Sequence, residues 1–557
     1  MTSHPLFIYL SNVFIILCLI SAGTARRMYH CGGWVAHGYV DAYQTTDLLG
    51  EAQWALCPTC GAWAALTLWE HIAHAPIASP SGKAALRELL ESFAGITEFF
   101  RCYLVEKRGY LHSGPSTSPE NSYILQSPQT ADQSRAGGIA GAVPPSSTVA
   151  AQLRSQLQRQ LQQPQQAAAT RYVHLTMTPA IDASILRNVA EAYALAVQID
   201  PSPNATHAAL AQELAALVTR LPGAGEPVVR AKAGISEAKS GQEQSSLLEY
   251  PAPFGMLAGP TEGRVRENAD AGHRHFSALH WLYPGPFLPG DSAAARRKVF
   301  QAAQEALQLK RRAGGGHTGW SAAWEACLQA RLRDGSRLWD AMRRLQGRFM
   351  SPRLLGLHPR LQTTVPLCQT CYGEVTPKDP MTRWLSRPTR GMYTLDGSTF
   401  QLDANGGWLA AALEALVQSQ VRGRLELLPA LPPSWRARGG FAVGLHARGD
   451  VGVAVAWEPN AGMAAIMRWS SAHPWLPSNG GVVVIAPSEL FFVRVTEILG
   501  AACASSKTVF ADAEVGANKT ALMINLQMYP CTVYACSTGL SKGVCDALLQ
   551  RLEEEGD

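Results

Sequence analysis

The sequence has little charge for its length, and its charges nearly balance. Only 16% of its 557 residues are Asp, Glu, Lys or Arg, and the formal net charge is +5. Proteins that bind nucleic acid usually concentrate Lys and Arg in a stripe or patch, often with aromatic residues between the cations. The sequence contains no such stripe. We therefore predict no nucleic-acid partner.

Long apolar runs are also rare. The main one, residues 6–20, lies at the start and is followed by Gly23 and Ala25 at a spacing typical of signal-peptide cleavage. Residues 1–27 are therefore predicted to be a signal peptide, which implies secretion. Because the first basic pair follows the run instead of preceding it, an uncleaved membrane anchor is the alternative. No later run is long enough to span a bilayer, so we predict no other membrane contact.

The cysteines suit an oxidising compartment, where disulfides persist. Two pairs have the C-x-x-C spacing, Cys57-Pro-Thr-Cys60 and Cys368-Gln-Thr-Cys371. Disulfides or free thiols are the expected states of these pairs. A four-thiolate zinc site is the weaker alternative, because the pairs lie far apart and neither has the context of a zinc knuckle. We predict no metal and no cofactor.

Residues 28–420 are predicted to form one mainly helical domain. Apolar residues recur at the i, i+3, i+4, i+7 spacing of amphipathic helices in the segments 86–104, 185–197 and 210–221. Clusters of Gly, Pro, His and Trp lie between the helices, which indicates helices paired around an axis with a site in the loops at one end. Irregular or low-complexity segments interrupt this domain at 126–170, 223–260 and 363–395. Such composition cannot bury enough apolar surface to order itself, so we predict surface insertions.

After residue 420 the apolar period changes from helical to alternating. Residues 441–445, 451–457 and 463–469 alternate apolar with polar or small side chains, and glycines separate these stretches. We predict a small antiparallel β domain at 421–500. Residues 501–557 carry four cysteines and end in an acidic run, and they are predicted to be a separate tail without an assigned role.

One carboxylate, Glu120, lies in a loop between Pro115 and Pro119. Prolines restrict such a loop, and rigidly held loops often carry catalytic groups. By itself this stretch is more typical of a solvated turn. Polar and aromatic residues at other predicted helix starts and loops favour a carbohydrate site instead: Trp63, His71, His273, His275, Trp320, Asp403 and Asn405.

Cleavage of a glycosidic bond needs an acid for the leaving oxygen and a second polar centre that activates water or attacks the anomeric carbon. Two carboxylates, Glu120 and Asp403, could fill these roles. His273 and His275 could instead be metal ligands, but the sequence shows no third ligand at a suitable spacing.

In their order along the chain, these motifs resemble glycoside hydrolase family 95, the α-L-fucosidases of the α/α-barrel class. The resemblance covers residues 30–457 apart from the insertions. It rests on the stretches "GWVAH", "WALCPTCGAW", "LWEH", "PSTSPEN", "GHRHFSALHWLYPG", "GWSAAW", "ARLRDG", "FQLDANGG" and "LLPALPPSW".

The resemblance implies an (α/α)6 barrel, incomplete at its start, followed by a C-terminal β domain. It also implies hydrolysis of terminal α-linked L-fucose with inversion, and a fucosylated oligosaccharide or polysaccharide as the partner. Glu120 matches the family's general acid, which partial burial would keep protonated. Asp403 matches the aspartate that helps to make the attacking water basic. The predicted substrate-binding residues are Trp63, His71, His273, His275, Trp320 and Asn405.

Three features depart from the family pattern. The first barrel helices and the Asn-x-Asn stretch that holds the catalytic water are missing, Gly406 stands where an aromatic residue is usual, and "CPTCG" replaces "WPMGG". Because proximity and orientation carry much of the rate, the alternative function is a relative that binds sugar without turnover. An α-L-galactosidase is a further alternative, since pockets discriminate weakly against an added hydroxyl.

Overall fold

The computed structural model describes most of the helical and β regions. The described residues are 20–38, 45–48, 52–77, 79–107, 109–121, 123–126, 171–200, 204–222, 229–231, 245–247, 264–266, 272–286, 293–351, 353–358, 399–459, 462–469, 475, 481–487, 490–497, 504–510, 519–525, 531–537 and 542–554. The predicted insertions at 126–170 and 363–395 therefore lie outside them, apart from residue 126. Within the third, 223–260, two described segments pair as short antiparallel strands.

The described chain is mainly helical up to residue 416, as predicted. A helix covers residues 20–29, and a single 3-10 turn covers Ser277–Leu279. Within the described residues, no helix has both the length and the apolar composition needed to cross a bilayer. The remaining helices are α1 (Ala52–Ala55), α2 (Cys60–His74), α3 (Pro80–Tyr103), α4 (Ala180–Ile199), α5 (Ala205–Thr219), α6 (Ala293–Arg312), α7 (Gly319–Arg331), α8 (Gly335–Phe349), α9 (Leu402–Leu416), α10 (Pro433–Arg438) and α11 (Lys542–Glu554).

Helix α3 shows how local sequence defines these elements. Ser79 caps its start, with Oγ accepting the Gly82 N–H at 3.0 Å, and Pro80 occupies the first turn, where its missing N–H costs nothing. The apolar stripe, which includes Phe93 and Phe100, is buried along the helix. The three helices expected from periodicity are confirmed as α3, α4 and α5.

Two apolar clusters hold the helices together. Helices α2 to α5 surround the larger cluster, in which Phe93, Phe99 and Tyr193 are fully buried. Burial of each such ring contributes roughly 1.5–3 kcal/mol. The smaller cluster lies between α7, α8 and α9 and is rich in alanine, including Ala326 and Ala411. Small side chains let these three helices approach closely.

The predicted leader overlaps the folded domain. Ser21, Thr24 and Ala25 are fully buried, and Ala25 belongs to the larger apolar cluster. Thr24 Oγ1 also donates a hydrogen bond to Asp47 Oδ1 at 2.5 Å. Cleavage beside Ala25 would remove packed residues, so the prediction that the leader extends through residue 27 is wrong. An apolar leader and a buried helix have the same apolar composition, which is why the sequence did not separate them.

Strands have two to four residues up to residue 427 and seven or eight residues from residue 440 onward. In chain order they are β1 (Val105–Lys107), β2 (Tyr110–His112), β3 (Ser116–Thr117), β4 (Tyr123–Gln126), β5 (Arg171–Val173), β6 (Leu175–Thr176), β7 (Val229–Ala231), β8 (Ser245–Leu247), β9 (Arg264–Arg266), β10 (Leu357–His358), β11 (Thr399–Phe400), β12 (Val417–Gln418), β13 (Arg424–Leu427), β14 (Gly440–Ala447), β15 (Val451–Glu458), β16 (Gly462–Trp469), β17 (Gly481–Pro487), β18 (Leu490–Glu497), β19 (Ala504–Phe510), β20 (Lys519–Asn525) and β21 (Cys531–Ser537).

The C-terminal β domain consists of two five-stranded sheets. Their strand orders are β12-β13-β17-β20-β19 and β14-β15-β16-β21-β18. Pairing is antiparallel except between β13 and β17, which run parallel, so the purely antiparallel prediction needs this correction. Val453, Val455 and Trp457 on β15 contribute to the core of the domain.

The predicted boundary at residue 500 is wrong. Strands β19, β20 and β21 complete both sheets, and β21 lies between β16 and β18. Helix α11 then packs on the second sheet through Leu548 and Leu549. Strands β19, β20 and β21 and helix α11 are therefore part of the β domain and not of a separate tail. Strand β21 pairs with β16 and β18, which lie well before it in the sequence, and polar positions such as Thr532 weaken the alternating pattern.

Candidate active site

Two hydrogen bonds hold the part of the loop that precedes Glu120. The Thr117 hydroxyl donates to the Leu56 carbonyl oxygen at 2.6 Å, and the Tyr103 hydroxyl donates to the Pro115 carbonyl oxygen at 2.6 Å. Glu120 has a φ of +57°, and non-glycine residues adopt this region at a cost of about 1–3 kcal/mol. Such a conformation persists where the surroundings impose it, so the loop positions this carboxylate.

The Glu120 carboxylate faces the segment 273–275. Its Oε2 contacts Arg274 Nη2, and it lies 3.2 Å from His275 Nε2 and 3.7 Å from His273 Nε2. The Glu120 side chain is 19% exposed, and its three partners are between 1% and 16% exposed. The structure thus places the predicted His273 and His275 against the predicted acid, with Arg274 between them in sequence.

Glu120 is ionised in this arrangement. Burial raises its pKa, but the hydrogen bond from His275 and the positive charge of the Arg274 guanidinium outweigh burial and lower the pKa to about 2. Burial lowers the pKa of His275 itself, although the Glu120 carboxylate opposes this, so at neutral pH His275 donates from a neutral ring. The lasting positive charge is the Arg274 guanidinium. The expectation that partial burial keeps Glu120 protonated is therefore wrong here.

His273 is fixed in one tautomer. Its Nδ1 accepts the N–H of His275 at 3.2 Å, so the ring proton is on Nε2, which faces Glu120. Burial also lowers the pKa of His273 well below its ordinary value, so the ring is neutral. The Nε2–H of His273 therefore faces the carboxylate at 3.7 Å, which is longer than a hydrogen bond.

These residues also form a geometric metal-ligand group. Among the described residues, ligand atoms of Glu120, His273 and His275 lie within 4.8 Å of one another. Glu120 is therefore a candidate third ligand, which the spacing of residues in the sequence did not reveal. The donor set nevertheless does not fit a metal ion, because His273 Nε2 carries a proton and the Arg274 guanidinium contacts the carboxylate. Metal ligands must be deprotonated and facing the ion.

A cavity of about 420 Å³ opens beside Glu120. This volume lies within the range of about 300–1,000 Å³ found for small-ligand pockets. The cavity brings together both predicted carboxylates and three predicted substrate-binding residues. Among the residues that line it are Glu120, Asp403, Trp63, His275, Trp320, Trp324, Tyr283, Cys57 and Cys60.

Asp403 reaches the cavity because α7 and α9 begin side by side. It lies in the first turn of α9, and Trp320 lies at the start of α7. A Cβ on Gly407 would lie 2.6 Å from the Cβ of Ala323, closer than two carbon atoms approach, so only glycine allows this contact. Gly406 differs, since a Cβ there would meet nothing within 4 Å. The space at residue 406 is consistent with the aromatic residue found there in the resembling family.

Three predicted substrate-binding residues, His71, His273 and Asn405, do not line the cavity, although His273 lies against Glu120. His71 is exposed near the end of α2, about 16 Å along the helix axis from Cys60. Asn405 has a structural role instead, because its Oδ1 accepts the Gly356 N–H at 2.8 Å and its Nδ2 donates to the Leu354 carbonyl oxygen at 2.6 Å. Neither residue lines the cavity.

Three residues of the site, Arg274, Trp324 and Tyr283, are not among the predicted catalytic or substrate-binding residues. Arg274 was visible between the two predicted histidines, but its contact with Glu120 depends on the fold. Trp324 lies four residues after Trp320 in α7, so helical spacing alone places both on one face. Tyr283 lies in a recognised stretch without a distinguishing signal of its own.

The fold and the site together define a helical domain with a carbohydrate-type site, in which two carboxylates share an aromatic-lined cavity next to a β domain. The family model for the Glycosyl hydrolase family 95 catalytic domain matches residues 2–416, and that for the Glycoside hydrolase family 95, C-terminal domain matches residues 418–474. The protein belongs to glycoside hydrolase family 95. The resemblance seen in the motifs is confirmed.

One relative extends this comparison. Alpha-L-fucosidase 2 of Arabidopsis thaliana is 28% identical over 467 residues, which make up 82% of this chain and 40% of that protein. The chain thus spans two fifths of the length of the curated relative that it matches.

Proposed function

We propose that the protein hydrolyses terminal α-linked L-fucose from fucosylated oligosaccharides or polysaccharides, with inversion at the anomeric carbon. The observation that carries this proposal is that Glu120 and Asp403 line one cavity together with Trp63 and Trp320. Membership of glycoside hydrolase family 95 and the likeness to a protein named alpha-L-fucosidase 2 support it.

The proposed roles follow from the chemistry of inversion. Glu120 protonates the glycosidic oxygen, and Asp403 helps to make a water basic on the opposite face of the sugar. An inverting pair of carboxyl groups stands roughly 6.5–9.5 Å apart so that the water fits between sugar and base. Trp63 and Trp320 offer ring faces to the sugar.

Glu120 can act as an acid only when it is protonated. With a pKa of about 2, it is almost entirely ionised at neutral pH before a sugar binds. A bound sugar would raise this pKa if it weakened the Arg274 contact or excluded water from the carboxyl group. The proposed mechanism therefore includes a rise in the Glu120 pKa on substrate binding.

The same low pKa favours a second candidate, a protein that binds the sugar without turnover. In that function the ionised Glu120 would accept hydrogen bonds from sugar hydroxyls, and the Arg274 guanidinium would donate hydrogen bonds to them. No proton transfer would be needed. A related α-L-galactosidase would use the same residues as the fucosidase and is tested with the corresponding galactoside.

The decisive experiment measures release of L-fucose from 2′-fucosyllactose and from a chromogenic α-L-fucoside by the whole chain. We expect Glu120→Gln and Asp403→Asn each to reduce turnover by about 100-fold or more. Glu458→Gln is the matched control, because Glu458 is exposed in the β domain. Turnover that survives Glu120→Gln would refute the acid assignment, and binding of L-fucose without release would establish the second candidate.

We also propose that the protein is secreted. Two disulfides, Cys31–Cys102 and Cys57–Cys60, support this, because such bonds persist mainly in oxidising compartments. Expression with the native start and detection of the protein in the medium or in the cell lysate tests the proposal. Recovery from the lysate alone would contradict it.

A further inference from the structure

A disulfide forms part of the wall of the cavity that contains Glu120. Cys57 and Cys60 are bonded to each other, and both line the cavity. Cys57 is 5% exposed and Cys60 is partly exposed, and both contribute to the wall that a small molecule in the cavity would meet. The bonded state also excludes this pair as zinc thiolates. The Cys31–Cys102 disulfide, by contrast, does not line this cavity.

The two sulfur atoms of the pair have different electrostatic surroundings. Cys60 is the first residue of α2, where backbone N–H groups without helical partners favour a negative charge. Cys57 is linked to a buried carboxyl group through Thr59. Its Sγ lies 3.9 Å from Thr59 Oγ1, and that hydroxyl donates to Asp182 Oδ1 at 2.8 Å. The negative charge of Asp182 disfavours a thiolate at Cys57. Cys60 is therefore the better leaving group.

The Cys31–Cys102 disulfide has the opposite setting. Cys102 lies in the last turn of α3, where backbone carbonyl groups disfavour a negative charge. The bond joins residues separated by 71 positions, so it closes a long loop and acts as a structural constraint. Cys102 is nevertheless exposed, so accessibility alone would make this bond the easier one to reduce.

We propose that Cys57–Cys60 is a thiol–disulfide exchange site that accepts small dithiols from the cavity, an activity separate from sugar hydrolysis. One thiolate of the dithiol forms a bond to Cys57 Sγ, the Cys57–Cys60 bond breaks, and the electron pair leaves on Cys60. The second thiolate of the dithiol then attacks the other dithiol sulfur, which is bonded to Cys57 in the mixed disulfide, and Cys57 leaves as a thiolate. Two electrons pass to the protein, the dithiol becomes a cyclic disulfide, and its two protons are available to the cysteine sulfurs.

The first test uses the folded wild-type chain and dithiothreitol as the dithiol. The protein is equilibrated with increasing ratios of reduced to oxidised dithiothreitol, thiols are trapped with iodoacetamide, and peptide mass analysis assigns them. We expect Cys57–Cys60 to open at a ratio about tenfold lower than Cys31–Cys102, which corresponds to one unit of difference in thiol acidity. Far-UV circular dichroism confirms that the helices remain.

The order in which the two disulfides open decides between the explanations. Opening of Cys57–Cys60 first, in a folded protein, supports the exchange site. Opening of Cys31–Cys102 first would show that exposure decides, and it would overturn the proposal. Opening of both bonds only when helical structure is lost would overturn it as well.

The second test addresses the asymmetry between the two sulfurs. Cys57→Ser leaves the Cys60 thiol, and Cys60→Ser leaves the Cys57 thiol, each in a chain that retains Cys31–Cys102. We expect Cys57→Ser to react with iodoacetamide about tenfold faster at pH 7 than Cys60→Ser, because the helix start favours the thiolate. Equal rates, or the reverse order, would refute the assigned leaving group.

A third measurement separates this proposal from the proposed sugar site. If the cavity also binds the glycan, 2′-fucosyllactose should slow reduction of Cys57–Cys60 and leave Cys31–Cys102 unaffected. Selective reduction without such protection would support the exchange site and count against the sugar site. Protection by the glycan without selective reduction of Cys57–Cys60 would support the sugar site and count against the exchange site.

Discussion

The ion pair between Glu120 and Arg274 can be measured by a double-mutant cycle of Glu120→Gln and Arg274→Gln. A fall in the Glu120 pKa from its ordinary 4.5 to about 2 corresponds to about 3 kcal/mol in favour of the ionised form. Removal of one partner from a buried pair usually costs about 3–5 kcal/mol, because the other charge remains buried. We therefore expect the double variant to be less destabilised than the sum of the single variants at pH 7, with a coupling energy larger than the roughly 1 kcal/mol of an exposed ion pair.

The pH dependence of this effect has a defined sign. Because the folded-state pKa of Glu120 is lowered, its stabilising contribution is complete above the ordinary pKa of 4.5 and is lost as the pH falls through about 2. Between pH 6 and pH 2, the wild type should lose about 3 kcal/mol more unfolding free energy than Glu120→Gln. Denaturant unfolding followed by tryptophan fluorescence at stepped pH values measures both quantities.

An exposed ion pair provides the control for this cycle. Arg101 and Glu213 lie 3.3 Å apart on the surface, with side chains 52% and 35% exposed, and such pairs contribute about 0–1 kcal/mol. The reasoning is refuted if the Glu120–Arg274 coupling energy is no larger than that of the exposed pair. Parallel pH curves for the wild type and Glu120→Gln would refute it too.

Three further predictions concern the core, the cavity and the β domain. Burial raises the pKa of Asp182 to about 6 against hydrogen bonds that lower it, so its stabilising effect is complete below its ordinary pKa of 3.8 and is lost as the pH rises through about 6. Asp182→Asn should remove about 2 kcal/mol of the stability decrease between pH 4 and pH 7, and an unchanged decrease in denaturant unfolding would contradict this. Trp320→Ala should weaken L-fucose binding about tenfold in calorimetry, whereas His71→Ala should leave the affinity unchanged. Equal effects of the two substitutions would argue against the cavity as the sugar site. Deletion of residues 501–557 removes β21 from between β16 and β18 and exposes strand edges, so we expect aggregation in size-exclusion chromatography. A monomeric, protease-resistant product would show that the β domain folds without residues 501–557.

Local patterns predicted the helices and the main members of the site. The i, i+3, i+4 spacing in 86–104 corresponds to α3 because an amphipathic helix needs only neighbours within two turns to define its apolar face. The motif order predicted the family and brought Glu120 and Asp403 forward as candidates. Long-range pairing was less visible, and strands β20 and β21 were missed because they pair with β17, β16 and β18, which lie far away in sequence.

The sequence by itself determined the helical segments, the family and the identity of the two carboxylates, since these depend on local spacing and on residue types in order. Only the tertiary structure decided that Asn405 and His71 lie away from the cavity, and that Glu120 is ionised. Glu120 and Arg274 are 154 residues apart in the sequence, and the charge state of a carboxyl group depends on burial and on the distance to its partners. Those quantities exist only once the chain has folded.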